Sequence, residues 1–156
     1  MNFFDLELLV RLIASFIGSC SFAVVFKINK RHLLYVGFLG FITYFVYDLV
    51  MYLMPSAFAA AFVSTTVATV CGEVLARKNH APTIVYLVTG LIPTVPGADS
   101  YYCMKYLLEQ DMTRAMEKLV STVQVALGIA GGIVVVSIAF GIISDRLEAK
   151  RHKHFT

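Results

Sequence analysis

Three carboxylates lie inside long apolar stretches of the 156-residue sequence: Asp48, Glu73 and Asp99. An ionisable group at membrane depth is costly, so each of the three is a candidate for a functional site. A carboxylate in such a place can bind a proton or a cation. We therefore consider all three as candidates for proton or ion coupling.

For two of these acids a structural role is also simple. Asp48 could hydrogen-bond the hydroxyl of Tyr44 or Tyr52 instead of carrying a proton, and the sequence favours neither interpretation. Glu73 precedes Arg77 by four residues, a spacing that brings an acid and a base together on one helical face. For this pair we expect the structural role.

The third acid, Asp99, closely follows a cluster of helix-breaking residues. Pro93 and Pro96 have no amide hydrogen, so a helix that enters from Thr83 must break close to them and resume near Gly97. At membrane depth such a break is tolerated only inside protein or beside a wet cavity, because lipid cannot satisfy the freed backbone groups. A break of this kind is typical of a solute site.

The two half-helices indicate which solute could bind between them. The first would end near Ile92 with free carbonyls, and the second would begin near Gly97 with free amides. Their partial charges suit a small zwitterion or carboxylate. The predicted binding residues are Thr89, Pro93, Thr94, Pro96, Gly97, Asp99 and Ser100 at the break, with Thr65 and Thr69 from the preceding apolar segment.

The same residues also fit a purely structural kink. In that interpretation the threonines hydrogen-bond their own backbone. Asp99 then caps the second half-helix by accepting from the amide of Tyr101 or Tyr102. Capping and solute binding do not exclude each other.

The elements that must hold these residues are membrane helices. The chain is 58% hydrophobic and 15% charged, with a mean hydropathy of +0.76. Soluble domains average about 45–50% apolar and about 25% charged residues. The three cysteines lack metal or redox spacing, and motifs of hydrolases, NTPases and dinucleotide enzymes do not occur. We expect no enzyme activity, no cofactor, no metal and no nucleic-acid partner.

Five segments of this sequence are long enough to cross about 30 Å of hydrocarbon. They comprise residues 6–26, 33–54, 57–76, 82–106 and 119–143, and the fourth is broken at Pro93-Pro96-Gly97. We predict an all-α integral membrane protein, with one five-span domain over residues 1–156 and a basic cytoplasmic tail at 144–156. With alternating loops, one face receives nine Lys and Arg and the other four. This asymmetry places the amino terminus outside and the carboxyl terminus in the cytoplasm.

Small residues recur at the spacing of close helix packing. The sets are Ala60, Ser64, Ala68 and Gly72 in the third segment, Gly128 and Gly132 in the fifth, and Ala14 and Gly18 in the first. Such stripes let helix backbones approach where no hydrophobic effect drives association. We favour packing within the chain over a subunit contact, although both are compatible with the pattern.

The region around the break resembles the hallmark region of the threonine/serine exporter superfamily. The resemblance rests on LIPTVPG at 91–97, Tyr101, LLEQD at 107–111, GEVLAR at 72–77 and the pair Ala81-Pro82, and it extends over about residues 33–141. It implies functional importance for Glu73, Arg77, Pro93, Pro96 and Gly97. Thr94, Asp99 and Ser100 depart from the usual pattern and leave the substrate open.

The resemblance further implies a short, carboxyl-terminal-type subunit of a split exporter. Its partner would be a larger five-span subunit in the bacterial inner membrane. The implied substrates are threonine- and serine-type amino acids or dicarboxylates such as succinate, and the implied driving energy is proton-motive force. Two other interpretations stay open: a small homo-oligomeric channel, and a non-transporting partner that assembles or regulates another membrane protein. The broken helix with Asp99 favours transport.

Overall fold

The computed structural model describes the backbone of residues 6–153 and the side chains of residues 6–142. The described residues form six α-helices: α1 Leu6–Val25, α2 Leu33–Leu53, α3 Ala57–Asn79, α4 Thr83–Leu91, α5 Gly97–Leu108 and α6 Met112–Lys153. Two 3₁₀ turns, Lys30–His32 and Ile92–Thr94, precede α2 and follow α4. This part of the chain has no strand, so the predicted all-α fold class is confirmed.

Four helical segments within the described residues are long and apolar enough to cross a membrane. They are Leu6–Val25, Lys30–Leu53, Ala57–Asn79 and Met112–Ile142. They correspond to the first, second, third and fifth predicted segments. The predicted fourth segment consists of two shorter helices, α4 and α5.

The last helix is longer than predicted. It begins at Met112 rather than near residue 119, because the Asp111 carboxylate accepts a hydrogen bond from the amide of Arg114 at 3.1 Å and so starts the helix. Its 42 residues extend over about 63 Å, about twice the hydrocarbon thickness. The backbone of the predicted tail continues α6 to Lys153. The tail's last three residues, 154–156, lie outside the described part, as do all its side chains.

The predicted break is confirmed. The helix that begins at Thr83 ends at Leu91, and regular helix resumes at Gly97. Pro93 lies at the start of the intervening 3₁₀ turn, where a missing amide hydrogen leaves no bond unmade. Val95 then adopts an extended conformation with a ψ of 130°.

The first half of the broken element, α4, runs parallel to α2. Tyr86 of α4 contacts His32 directly before α2, with 2.6 Å between the tyrosine oxygen and Nδ1. One turn further along α4, Gly90 lies against the side chain of Leu39. Because this progression keeps one direction, α4 carries the chain from the start of α2 towards its end, and Tyr47 of α2 lies beside the break.

α3 and α6 pack closely against each other, and they are also parallel. A Cβ atom on Gly128 would lie 2.7 Å from the carbonyl oxygen of Phe58, and one on Gly132 would lie 2.9 Å from that of Phe62. Only glycine permits such close approach of two backbones. The glycine motif of the fifth segment therefore packs within the chain, as predicted.

The α3 stripe is also confirmed as a packing surface, since Ala60, Ser64, Ala68 and Gly72 are all buried. The prediction for α1 was wrong. A Cβ atom on Gly18 would meet nothing within 4 Å, so this glycine makes no close helix contact. α1 instead packs through Ser19 and Phe16 onto Gly37 and Gly40 of α2.

Candidate functional site

The two halves of the broken element have different surroundings. α4 buries Tyr86, Thr89, Gly90 and Leu91 among the first three helices, whereas no residue of α5 is buried. α5 packs chiefly against α6. The break therefore lies where the chain passes from the interior of the bundle to a peripheral helix, α5, that packs on α6.

One cavity borders the break on the side of α5. It has a volume of about 180 Å³ and connects α2, the break and α6. Its lining residues are Tyr47, Pro93, Thr94, Val95, Pro96, Ala98, Asp99 and Val125. Four residues of this lining, Pro93, Thr94, Pro96 and Asp99, were predicted as part of a site at the break, and the Asp99 carboxylate supplies a negative charge.

A second cavity, of about 290 Å³, borders the break on the side of α1. Its lining residues are Arg11, Ala14, Ser15, Gly18, Tyr44, Ile92 and Pro93. Pro93 is shared by both cavities, with a guanidinium in the lining of one and a carboxylate in the lining of the other. The break thus separates a cavity lined by an arginine from a cavity lined by an aspartate.

Asp99 is held by α6 rather than by its own helix. Lys118 Nζ donates to one carboxylate oxygen at 3.0 Å, and Ser121 Oγ donates to the other at 2.6 Å. The predicted capping role was wrong, because Pro96 precedes α5 and no side chain caps that helix. A charge-assisted bond to an ammonium is stronger than a bond to a neutral amide, which explains the preference.

The hydroxyls at the break mainly satisfy their own backbone. Thr89 Oγ1 donates to the Val85 carbonyl at 2.7 Å, and Thr94 Oγ1 donates to that of Leu91 at 2.8 Å. Ser100 Oγ likewise donates to the Pro96 carbonyl at 2.8 Å. Each hydroxyl still has lone pairs with which to accept a bond from a solute.

The carbonyls at the end of α4 were expected to be free, but they accept hydrogen bonds within the chain. The Leu91 carbonyl accepts from Thr94, and the Ile92 carbonyl accepts from the Val95 amide at 3.2 Å. The 3₁₀ turn provides these bonds, since tightening the last turn satisfies orphan carbonyls locally. Much of the partial negative charge that the half-helix hypothesis requires at the end of α4 is therefore already satisfied within the chain.

The third helix does not bring its hydroxyls to the cavities. Thr65 and Thr69 are buried, and neither is among the described residues that line the two compartments. Thr69 Oγ1 donates to the Thr65 carbonyl at 2.7 Å, and Thr65 packs against Gly132 of α6. Within the described residues the Thr65 hydroxyl has no hydrogen-bond partner.

The remaining acids are separated by the fold. Glu73 lies 3.8 Å from the Arg77 guanidinium, which also stacks over Phe140 at 5.1 Å, so the contact expected between this acid and base is observed. Asp48 is half-buried and close enough to Tyr44 and Tyr47 to interact electrostatically with both. It forms no ion pair with a cation of the described residues.

Sequence reasoning missed two cations of the site. Arg11 and Lys118 were two of the four cations counted on the outer face. In the structure Arg11 borders the α1 cavity and Lys118 holds Asp99. Arg11 also lies 3.6 Å from Glu7. A signal existed for Lys118, because Ser121 follows it by three residues and so lies on the same helical face.

No group of three His, Cys, Asp or Glu residues in the described chain could hold a metal ion.

Four apolar helices of membrane-spanning length within the described residues define a multi-pass membrane protein. The chain belongs to the Threonine/Serine exporter, ThrE family, which it matches over residues 11–139. The resemblance noted in the sequence is thereby confirmed, and the chain is an exporter component. No curated protein and no solved structure gave a match to the chain.

Proposed function

We propose that this chain is the short subunit of a two-component secondary exporter of small carboxylate-bearing metabolites. The observation that carries the proposal is the position of Pro93 between two cavities, one lined by Arg11 and the other by Asp99. Threonine- and serine-type amino acids and dicarboxylates such as succinate all present a carboxylate that a guanidinium can bind in a bidentate manner. No covalent chemistry is required of the protein.

In this proposal the solute passes along the break. Arg11 attracts a carboxylate in the α1 cavity, and the hydroxyls of Thr94 and Ser15 border its path. Lys118 can exchange Asp99 for the solute carboxylate, because both side chains of this ion pair are partly exposed, at 35% and 27%. A proton taken up by Asp99 or Asp48 would couple this exchange to the proton-motive force.

In this proposal the chain crosses a bacterial inner membrane five times. The parallel sense of α3 and α6 supports this number, since an element between them must cross once for both to start on the same side. Positive-inside charge then puts the amino terminus outside and the carboxyl terminus in the cytoplasm.

The second subunit would complete the site. α5 has no buried residue, and one wall of its cavity is formed by the break itself. A five-span chain encloses little volume, so the larger subunit of the same superfamily would supply the opposite wall.

The test is efflux from cells that coexpress the chain with a candidate larger subunit and are loaded with threonine, serine or succinate. Asp99→Asn removes the acid, and Gly18→Leu fills the α1 cavity, where a Cβ atom meets nothing. We expect both variants to lose efflux of the transported solute at normal expression. Gly141→Leu is the matched control, because it is an equally open glycine far from the break.

Normal efflux by both site variants, or no efflux of any of the three solutes by the parent pair, would overturn the proposal. Purification distinguishes the other interpretations. Equal amounts of a five-span partner support the two-component exporter. A homo-oligomer that conducts alone would indicate a channel instead.

A further inference from the structure

An apolar groove lies between α2 and α3, away from the break. Its walls are Tyr35, Phe38, Leu39 and Ile42 of α2 and Val70, Cys71, Val74 and Leu75 of α3. It has a volume of about 450 Å³ and an almost entirely apolar lining. We call it the α2–α3 groove. It shares no lining residue with either cavity at the break.

Two exposed cations lie at one end of this groove. Arg31 is exposed and lies in the 3₁₀ turn that leads directly into α2, the helix that forms one wall. Lys78 follows Val74 by four residues and extends the face of α3 that forms the other wall. Because α2 begins where α3 ends, both cations lie at the same end of the bundle.

Both of these cations are available to a ligand. Neither Arg31 nor Lys78 forms an ion pair with an acid of the described residues, whereas Arg77 is engaged by Glu73. The neighbouring His32 is turned towards Tyr86. An apolar groove with two exposed cations at one end, neither in an ion pair within the described residues, has the chemistry of one ligand class, an anionic amphiphile.

We propose that the α2–α3 groove is a specific site for an anionic phospholipid. One acyl chain lies against the apolar walls, and the phosphate lies between Arg31 and Lys78. From Tyr35 to Ile42 the groove extends for about 10 Å along α2, enough for the upper part of an acyl chain. Juxtamembrane basic residues attract anionic lipid head groups in this way. The inference does not rest on the proposed transport function.

The chain contains no tryptophan, so a single introduced one reports on its own surroundings. Tyr35→Trp places the reporter at the mouth of the groove, and Phe22→Trp places a control on an exposed face of α1. Each purified variant is reconstituted into vesicles of phosphatidylcholine mixed with brominated phosphatidylglycerol or with brominated phosphatidylcholine. Quenching then gives the relative affinity of the two lipids at each position.

We expect brominated phosphatidylglycerol to be preferred at Tyr35→Trp and not at Phe22→Trp. Adding Arg31→Gln and Lys78→Gln should reduce the preference by about fivefold for each charge removed. The matched control replaces Lys27 and Lys30 by Gln, since these exposed cations belong to the α1–α2 connection at the same end of the bundle and precede the two residues assigned to the phosphate. It should change the preference by less than about twofold.

Three results would overturn the inference. Equal loss in both double variants would indicate general surface attraction rather than a site. Equal preference at the two reporter positions would indicate ordinary annular lipid. An unquenched reporter at Tyr35→Trp would show that a second copy or another protein covers the groove.

Discussion

At the scale of single residues, the ion pair between Asp99 and Lys118 is the most informative contact. A carboxylate in an apolar segment needs compensation, and here both oxygens accept bonds, from Lys118 Nζ at 3.0 Å and from Ser121 Oγ at 2.6 Å. Because both ends remain partly exposed, the pair is not locked by burial. It can hold the resting structure and still separate when a competing charge arrives.

We predict that Asp99→Asn alone destabilises the protein more than the double change Asp99→Asn with Lys118→Gln. The single variant leaves a half-buried ammonium without its carboxylate, and the double variant removes both charges. Partial exposure keeps the expected coupling energy at about 1 kcal/mol. Thermal unfolding in detergent of the parent protein, the single variants Asp99→Asn and Lys118→Gln, and the double variant measures this coupling energy. Strictly additive effects would mean that the contact contributes nothing to stability.

At the scale of helices, the contact between α3 and α6 organises the bundle. Gly128 and Gly132 allow α6 to lie directly on the backbone at Phe58 and Phe62. The contacted atoms are carbonyl oxygens, which cannot move aside as the end of a flexible side chain can. The packing of these two helices therefore depends on the absence of a side chain at two positions.

We predict that Gly132→Leu destabilises the protein by about 1–3 kcal/mol, because the new Cβ atom would meet the Phe62 carbonyl at 2.9 Å. Gly141→Leu on the same helix is the control. Its Cβ atom meets nothing within 4 Å, so better helix propensity should leave its stability unchanged or slightly higher. Thermal unfolding of the purified variants in detergent checks this difference. Equal melting temperatures for the two variants would contradict the observed packing.

The helices also show how far the sequence predicts this molecule. The break was predictable because a proline has no amide hydrogen, and the effect of Pro93 and Pro96 on the helix therefore does not depend on the tertiary fold. Helix periodicity cannot tell which small residues meet a neighbour, and Gly18 faces a cavity while Gly37 and Gly40 contact α1. That outcome depends on how the helices are rotated in three dimensions.

The site was predictable in the same partial way. The positions at the break that line the α5 cavity are close in sequence, so a local motif identified them. Arg11 and Lys118 come from distant helices, and only the tertiary fold brings them to the break. Their charges were interpreted as topology signals because loop counting treats every cation near a helix end alike.

At the scale of the whole molecule, the parallel directions of α3 and α6 constrain the path of the chain. If both helices cross the membrane, the segment from Asn79 to Met112 must return the chain to the side on which α3 began. α4 has 9 residues and α5 has 12, so the two helices together have 21 residues, not counting the 3₁₀ turn between them. A re-entrant element would instead leave both ends on one side.

We predict that α4 and α5 together cross the membrane once. In a background with Cys20, Cys71 and Cys103 replaced by Ala, Gln110→Cys between α5 and α6 and Asn29→Cys between α1 and α2 are each exposed loop positions. An impermeant maleimide added to intact cells should label Gln110→Cys and spare Asn29→Cys. Permeabilised cells, in which both are accessible, provide the control. If intact cells give both variants the same labelling, the broken element turns back within the membrane, and α6 cannot be parallel to α3 in a bilayer.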